Sequence, residues 1–144
     1  MSDTIELTIG SRFEFLELVG SVTKQVTELG SFDEDSANWI ELAIREAVIN
    51  AIKHGNQMDA TRSVEITYTL DESSLGVSIR DCGEGFDFQH LPDPLSPENL
   101  LNPNGRGIFY MKTFMDDVEF GRHPDGGTLV RLSKRRSDPE EKGD

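Results

Sequence analysis

Two pairs of strand-like segments, each joined by a turn of only a few residues, set the tightest limit on how this chain folds. "SVEITYTLD" and "LGVSIRD" flank the turn at Glu72 to Ser74, and "DVEFGR" and "GTLVRLSK" flank the turn at Pro124 to Gly127. A connection that short returns the chain antiparallel, because a parallel return needs a crossover of a dozen residues or more. "TIELTIG" alternates apolar and polar residues and reads as a first strand, Thr4 to Ile9. Between it and the first hairpin lie two helical patterns. From Ser11 to about Leu29, Phe15, Val19, Val22, Val26 and Leu29 recur at three- and four-residue spacing. "GSFDEDSANW" then gives a Gly stop and an acidic start for a second helix, about Asp35 to His54. "GRGIFYMKTFM" reads as a third, short helix. The expected fold is α/β (α+β): a two-layer sandwich with helices on one face of a mixed, mainly antiparallel sheet. Residues 1–135 form one domain in this reading, followed by a charged, disordered tail at 136–144.

The formal net charge of −13 argues against nucleic acid as a direct partner, since phosphate binding needs clustered Lys and Arg. It suits a basic protein partner, because a surface of one sign steers the opposite sign. No apolar run approaches the roughly 18 residues of a membrane span. No basic-then-apolar leader opens the sequence, and Cys82 is the only cysteine, which excludes an internal disulfide. These features point to the cytoplasm.

The second helix carries an oddity. Glu46, Asn50 and His54 recur every fourth residue in "REAVINAIKHGN", and steps of four advance only about 40° around an α-helix. The row borders a broad apolar arc of Trp39, Ile40, Ala43, Ile44, Ala47, Val48 and Ala51, with Leu42 and Ile49 on its other side. Ala43 and Ala47 are short enough to leave room for a ligand. A carboxylate beside buried surface needs a partner or a ligand. A structural polar network is one answer. A Mg²⁺ site is another, since hard amide and carboxylate oxygens suit Mg²⁺, whereas Asn is a poor zinc ligand. His54 has a simpler use near the helix C-terminus.

Two glycine turns follow. "DCGEGF" puts Asp81 at a strand end with Gly83 and Gly85 behind it, so backbone can approach a flat ligand and the carboxylate can accept from an exocyclic amine. "NPNGRGI" ends a proline-rich segment, 88–104, and opens a helix whose free N–H groups attract anions. Asn104 is a possible cap, Gly105 and Gly107 allow close approach, and Arg106 adds positive charge. Neither turn is a Walker A or Rossmann signature.

Taken in order, Glu-x3-Asn on a helix, Asp-x-Gly-x-Gly-Phe after a strand, Gly-x-Gly opening a helix and Gly-Thr entering the last strand resemble the GHKL (Bergerat-fold) ATP-binding domain. Within that superfamily, "EAVINAIKHG" and "GRGIFYMKTFMDDV" are similar to the anti-sigma factor serine-protein kinases of the RsbW type, over almost the whole chain to about Arg135. The resemblance implies Glu46 as catalytic base and Asn50 as the ligand of Mg²⁺ at the ATP phosphates. It implies Asp81 as acceptor of the adenine amino group, with Gly83, Gly85, Phe86 and Thr128 around the base. Gly105, Arg106, Gly107 and Ile108 would meet the phosphates, and the proline-rich segment would be the ATP lid. It implies a homodimer that sequesters a sigma factor and phosphorylates a serine of a STAS-domain anti-anti-sigma partner. The alternative is an ATP-binding regulatory module that sequesters a partner without phosphotransfer. A histidine-kinase fragment or a gyrase- or MutL-like ATPase would call for further segments.

Overall fold

In a computed structural model, which describes residues 2–83 and 103–136 (backbone only over 103–108), five strands form one sheet. They are β1 (Asp3–Gly10), β2 (Ser63–Leu70), β3 (Ser74–Asp81), β4 (Asp117–Arg122) and β5 (Thr128–Arg135), in the order β1-β2-β3-β5-β4. All four pairings are antiparallel, so the sheet is not mixed as expected. The register places Val64 opposite Asp81 and Arg80 opposite Leu129, which brings the end of β3 beside the start of β5.

Three helices pack on one side: α1 (Leu16–Leu29), α2 (Glu34–Asn50) and α3 (Pro103–Phe114). Strand alternation decides which side. Val64, Ile66, Tyr68 and Leu70 of β2, and Leu75, Val77 and Ile79 of β3, are buried, while Thr67, Ser78 and Arg131 line a shallow groove on the open face. Ile40, Ile44 and Val48 of α2 and Met111 of α3 complete the core.

The helix ends differ from the sequence expectation in instructive ways. Ser11 does not start α1; its hydroxyl donates to the Arg62 carbonyl at 2.7 Å, and a 3₁₀ turn at Phe13–Phe15 leads into the helix. Leu29, in the last turn, is 68% exposed, not part of the apolar stripe. Gly30 is the C-cap, but the left-handed residue is Ser31 (φ 58°). Its N–H reaches Glu28 O and that of Phe32 reaches Thr27 O, which closes a Schellman motif. Asp33 caps α2 by accepting from Ser36 N at 2.7 Å, which starts that helix before Asp35. The arc on α2 is buried from Ile40 to Ala51, with Ala43 and Ala47 covered by protein and not open to a ligand. Trp39 is half-exposed and stacks on Phe114 at 4.4 Å.

Arg136 fastens the end of β5 to the rest. Its guanidinium donates to the carbonyls of Gly30 and Asp71 at 2.8 and 2.7 Å, a cation where the α1 dipole ends. The disordered tail was expected to begin at 136, but Arg136 is held by these bonds; residues 137–144 lie outside those described.

Inside the core, Thr23 of α1 and Tyr68 of β2 share a fully buried hydroxyl pair at 2.8 Å. Thr23→Val strands the phenol without a partner and should cost about 1–3 kcal/mol in denaturant titrations. Tyr68→Phe should cost less, because Thr23 can turn to a carbonyl of its own helix. The double variant should recover part of the Thr23→Val loss.

Candidate functional site

The site grows from the point where β3 ends. Asp81 is the last residue of the strand, on its helix-facing side, and is 2% exposed. Its Oδ1 accepts from the backbone N–H of Gly83 and of Thr128, both at 3.1 Å. Burial raises the Asp81 pKa above the ordinary carboxylate value; the two N–H groups and the charges of Arg80 and Arg62 only partly offset that.

Three glycines make this packing possible. A Cβ on Gly55 would collide with the Asp81 carboxylate, one on Gly83 with the Gly55 carbonyl, and one on Gly127 with the Asp81 carbonyl. Gly127 also has φ +86°, a region that favours glycine. Gly83 was expected to let backbone approach a flat ligand, and here it makes room for the Gly55 carbonyl; Gly55 and Gly127 were missed as site elements, although "HGN" and "GGT" sit in the quoted motifs. Arg80 was missed as well. Its Nε and Nη2 donate to the Gly126 carbonyl at 3.3 and 3.1 Å, while Nη1 meets Glu65 at 3.2 Å. Arg80 thus holds the turn that presents the Thr128 N–H to Asp81.

Against this floor packs the end of α2, and here the helix changes pitch. Ala51–Gly55 forms a π turn, with the Asn56 N–H reaching the Ala51 carbonyl at 2.8 Å, five residues back. Such wide turns break the i, i+4 ladder. Glu46 and Asn50 stay on one half-buried face, one turn apart, and His54 lies within the π turn, more exposed than either. Burial raises the Glu46 pKa, with Arg45 pulling it back in part; burial and Lys53 lower that of His54.

α3 supplies the third side. Phe114, its last residue, stacks on Trp39 near the start of α2, and the two helices pack along each other. The twelve residues from Trp39 to Asn50 and the twelve of α3 each span about 17 Å, so α3 runs antiparallel to α2 with its N-terminus toward Asn50. That helix starts at Pro103, before Asn104, so Asn104 lies inside it and is not its cap. Asn104 and Gly105 stand in the first turn, where N–H groups have no intrahelical acceptor; Gly107 lies beyond it. Gly105, Arg106, Gly107 and Ile108 are placed by backbone alone. Gly85, Phe86 and the proline-rich segment lie outside the described residues, apart from Pro103 and Asn104.

The ring of groups suits a nucleotide with Mg²⁺. A buried carboxylate sits among glycines, amide and carboxylate oxygens stand on a half-buried helix face, and a helix N-terminus points the same way. Among the described residues no three His, Cys, Asp or Glu side chains gather around a metal position. Mg²⁺ takes one or two protein oxygens and shares the rest with phosphate and water, a demand that the Asn50 amide oxygen can meet. Among the described residues no helix is long and apolar enough to cross a membrane.

Comparison with known proteins agrees with this geometry. Residues 11–134 match the family model of the histidine kinase-like ATPase domain. A serine-protein kinase RsbW of Bacillus subtilis (strain 168) is 27% identical over 139 residues, covering 92% of this chain and 86% of the relative. An anti-sigma F factor of the same organism is 37% identical over 107 residues, 72% of each chain. A crystal structure of the RsbU and RsbW domains of Rv1364c from Mycobacterium tuberculosis superposes with a TM-score of 0.68 at 19% identity. It covers 95% of this chain and a third of that longer one (33%), and it establishes the shared fold.

The Asp81 environment carries its own test. A folded-state pKa above the unfolded one means the native state binds the extra proton, so this contribution is fully present below the unfolded pKa. It is lost as pH rises through the folded value. Asp81→Asn keeps an oxygen for the Gly83 and Thr128 N–H groups and removes the charge. Its stability relative to wild type should therefore improve as pH rises above about 4, read from thermal unfolding at a series of pH values. A gap that does not change with pH would show the carboxylate unperturbed.

Proposed function

The chain belongs to the histidine kinase-like ATPase domain family, and on that footing we propose that it is an anti-sigma factor with ATP-dependent protein serine kinase activity, like the relatives it resembles. In this reading it sequesters a sigma factor and transfers the γ-phosphoryl group of ATP to a serine of a STAS-domain partner. It works in the cytoplasm, as a homodimer. The observation that carries the reading is the buried Asp81 carboxylate within its glycine cradle, beside the Glu46–Asn50 face.

Asp81 recognises the adenine amino group, a task that needs an acceptor fixed in place. The bonds from Gly83 and Thr128 fix it. Asn50 would hold Mg²⁺ through its side-chain oxygen, and that ion, when bound, neutralises charge on the phosphates. The first turn of α3 offers backbone N–H groups to the same anions. Gly83 and Thr128 flank the base, with Gly85 and Phe86, while Gly105, Arg106, Gly107 and Ile108 face the phosphates. Glu46 is the base. As the serine Oγ–P bond forms and the bond from the γ-phosphorus to the bridging oxygen breaks, the serine proton passes to the Glu46 carboxylate and ADP leaves.

The acidity of the chain, −13 overall, fits capture of a partner through basic surface. A complex held in this way weakens as salt rises, and one indifferent to salt speaks against a charge-driven contact.

Glu46→Gln should lower phosphoryl transfer from γ-labelled ATP to a STAS protein by about 10²- to 10⁴-fold, with ATP affinity preserved. Because burial raises the Glu46 pKa, the wild-type rate should fall off at a higher pH than an ordinary glutamate would give. Transfer by the variant at the wild-type rate would remove Glu46 from the mechanism. ATP binding by wild type with no transfer to any STAS protein would leave the regulatory-module reading.

A further inference from the structure

Asn56 is a buried polar side chain that the mechanism leaves unused. It is 0% exposed, and its side chain joins three other parts of the chain. Oδ1 accepts from the Cys82 N–H at 2.9 Å; Nδ2 donates to Ser11 Oγ at 2.8 Å and to the Ser63 carbonyl at 2.9 Å. Ser11 in turn donates to the Arg62 carbonyl at 2.7 Å. The orientation of the amide is dictated by its partners, since a backbone N–H demands the oxygen and a backbone carbonyl demands the nitrogen. No other side chain of that size supplies both.

What Asn56 joins is informative. Its own N–H closes the π turn that ends the α2 segment, the helix of Glu46 and Asn50. Its oxygen holds the residue immediately after Asp81. Its nitrogen holds the first residue of β2 and the residue after β1. The chain leaves it through Gln57 and Met58, both non-glycine residues in the left-handed region, at φ 52° and 62°. Two such residues in succession persist only where surrounding contacts over-determine them, and the Asn56 bonds are contacts of that kind.

We propose that Asn56 is a positioning residue for nucleotide binding. It fixes the backbone behind Asp81 to the π turn of α2, and so sets the spacing between the adenine-recognising carboxylate and the Glu46–Asn50 face. The inference rests on the ATP-site reading above. It assigns to this residue a function beyond fold stability: ATP affinity passes through the single bond from Cys82 N–H to Asn56 Oδ1.

Three variants separate the two roles, each read by ATP titration with Mg²⁺ on folded protein, by thermal unfolding, and by Cys82 amide hydrogen exchange without nucleotide. Asn56→Ala leaves a buried donor and acceptor unpaired; it should speed Cys82 exchange and weaken ATP binding by about tenfold or more. Ser11→Ala removes one partner of Nδ2 but spares the Cys82 bond; it should lower the melting temperature and leave ATP affinity within about twofold of wild type. Asn56→Asp keeps the acceptor and loses the donor, so it should be less stable yet keep Cys82 protection and most of the ATP affinity. This variant also decides the matter if Asn56→Ala does not fold. ATP affinity that follows melting temperature across all three, or that falls in Asn56→Asp while Cys82 stays protected, overturns the proposal. Wild-type protein that binds no ATP overturns the reading of the site instead, and the two failures are distinguishable because Cys82 exchange reports the bond without nucleotide.

Discussion

The arrangement depends on one buried carboxylate. Taking Asp81 out of water costs several kcal/mol unless hydrogen bonds and charges offset it. The chain supplies backbone N–H groups from two places, residue 83 just beyond the strand and residue 128 on β5. The second of these requires β5 to pair with β3, with Leu129 opposite Arg80. It also requires the turn before β5 to be held, which Arg80 does from the opposite side of the same strand. One strand therefore carries both the buried anion on its inner face and the cation that organises its donors on the outer face. The glycines follow from the same constraint, because three backbone segments close around a group whose neighbours have no room for a Cβ.

The π turn at the end of α2 is the second consequence. The wider turn at Ala51–Gly55 follows directly on Asn50, and Gly55 at its end packs against Asp81. Widening costs helical hydrogen-bond geometry, and such turns recur at functional sites. Here the π turn is in contact with the end of β3, where Gly55 meets Asp81.

The sequence was informative where periodicity and turn chemistry act locally. Alternation in "SVEITYTLD" and "LGVSIRD" gave the hairpin and its buried face, and three- and four-residue spacing gave α1 and α2 to within a few residues at each end. Asp81, Glu46 and Asn50 stood out as candidates because a carboxylate at a strand end and a polar pair on an apolar helix both call for an explanation. What was not legible depends on contacts distant in sequence. Gly55 needs Asp81, 26 residues on, Asn56 needs Cys82 and Ser11, and Arg80 needs Gly126; no local pattern encodes these partners. The change of pitch between Asn50 and His54 was not legible either, because a helical projection assumes constant pitch.

Electrostatics bears on how such a chain could hold a polyanion. Arg80 is already engaged with Glu65 and the Gly126 carbonyl, and Arg62 stands 3.6 Å from Asp59. Residues 84–102 include Glu84, Asp87, Asp93 and Glu98 and no Lys or Arg. The segment between the two glycine turns therefore adds no side-chain cation of its own, within a chain of net charge −13. On the proposed reading, phosphate charge would be met by Arg106, by the N–H groups at the start of α3 and by a divalent ion on Asn50. Helix-end attraction is worth only about 0.3–1 kcal/mol at an exposed site, so on that reading the divalent ion would carry the larger share and this chain should hold ATP poorly without Mg²⁺.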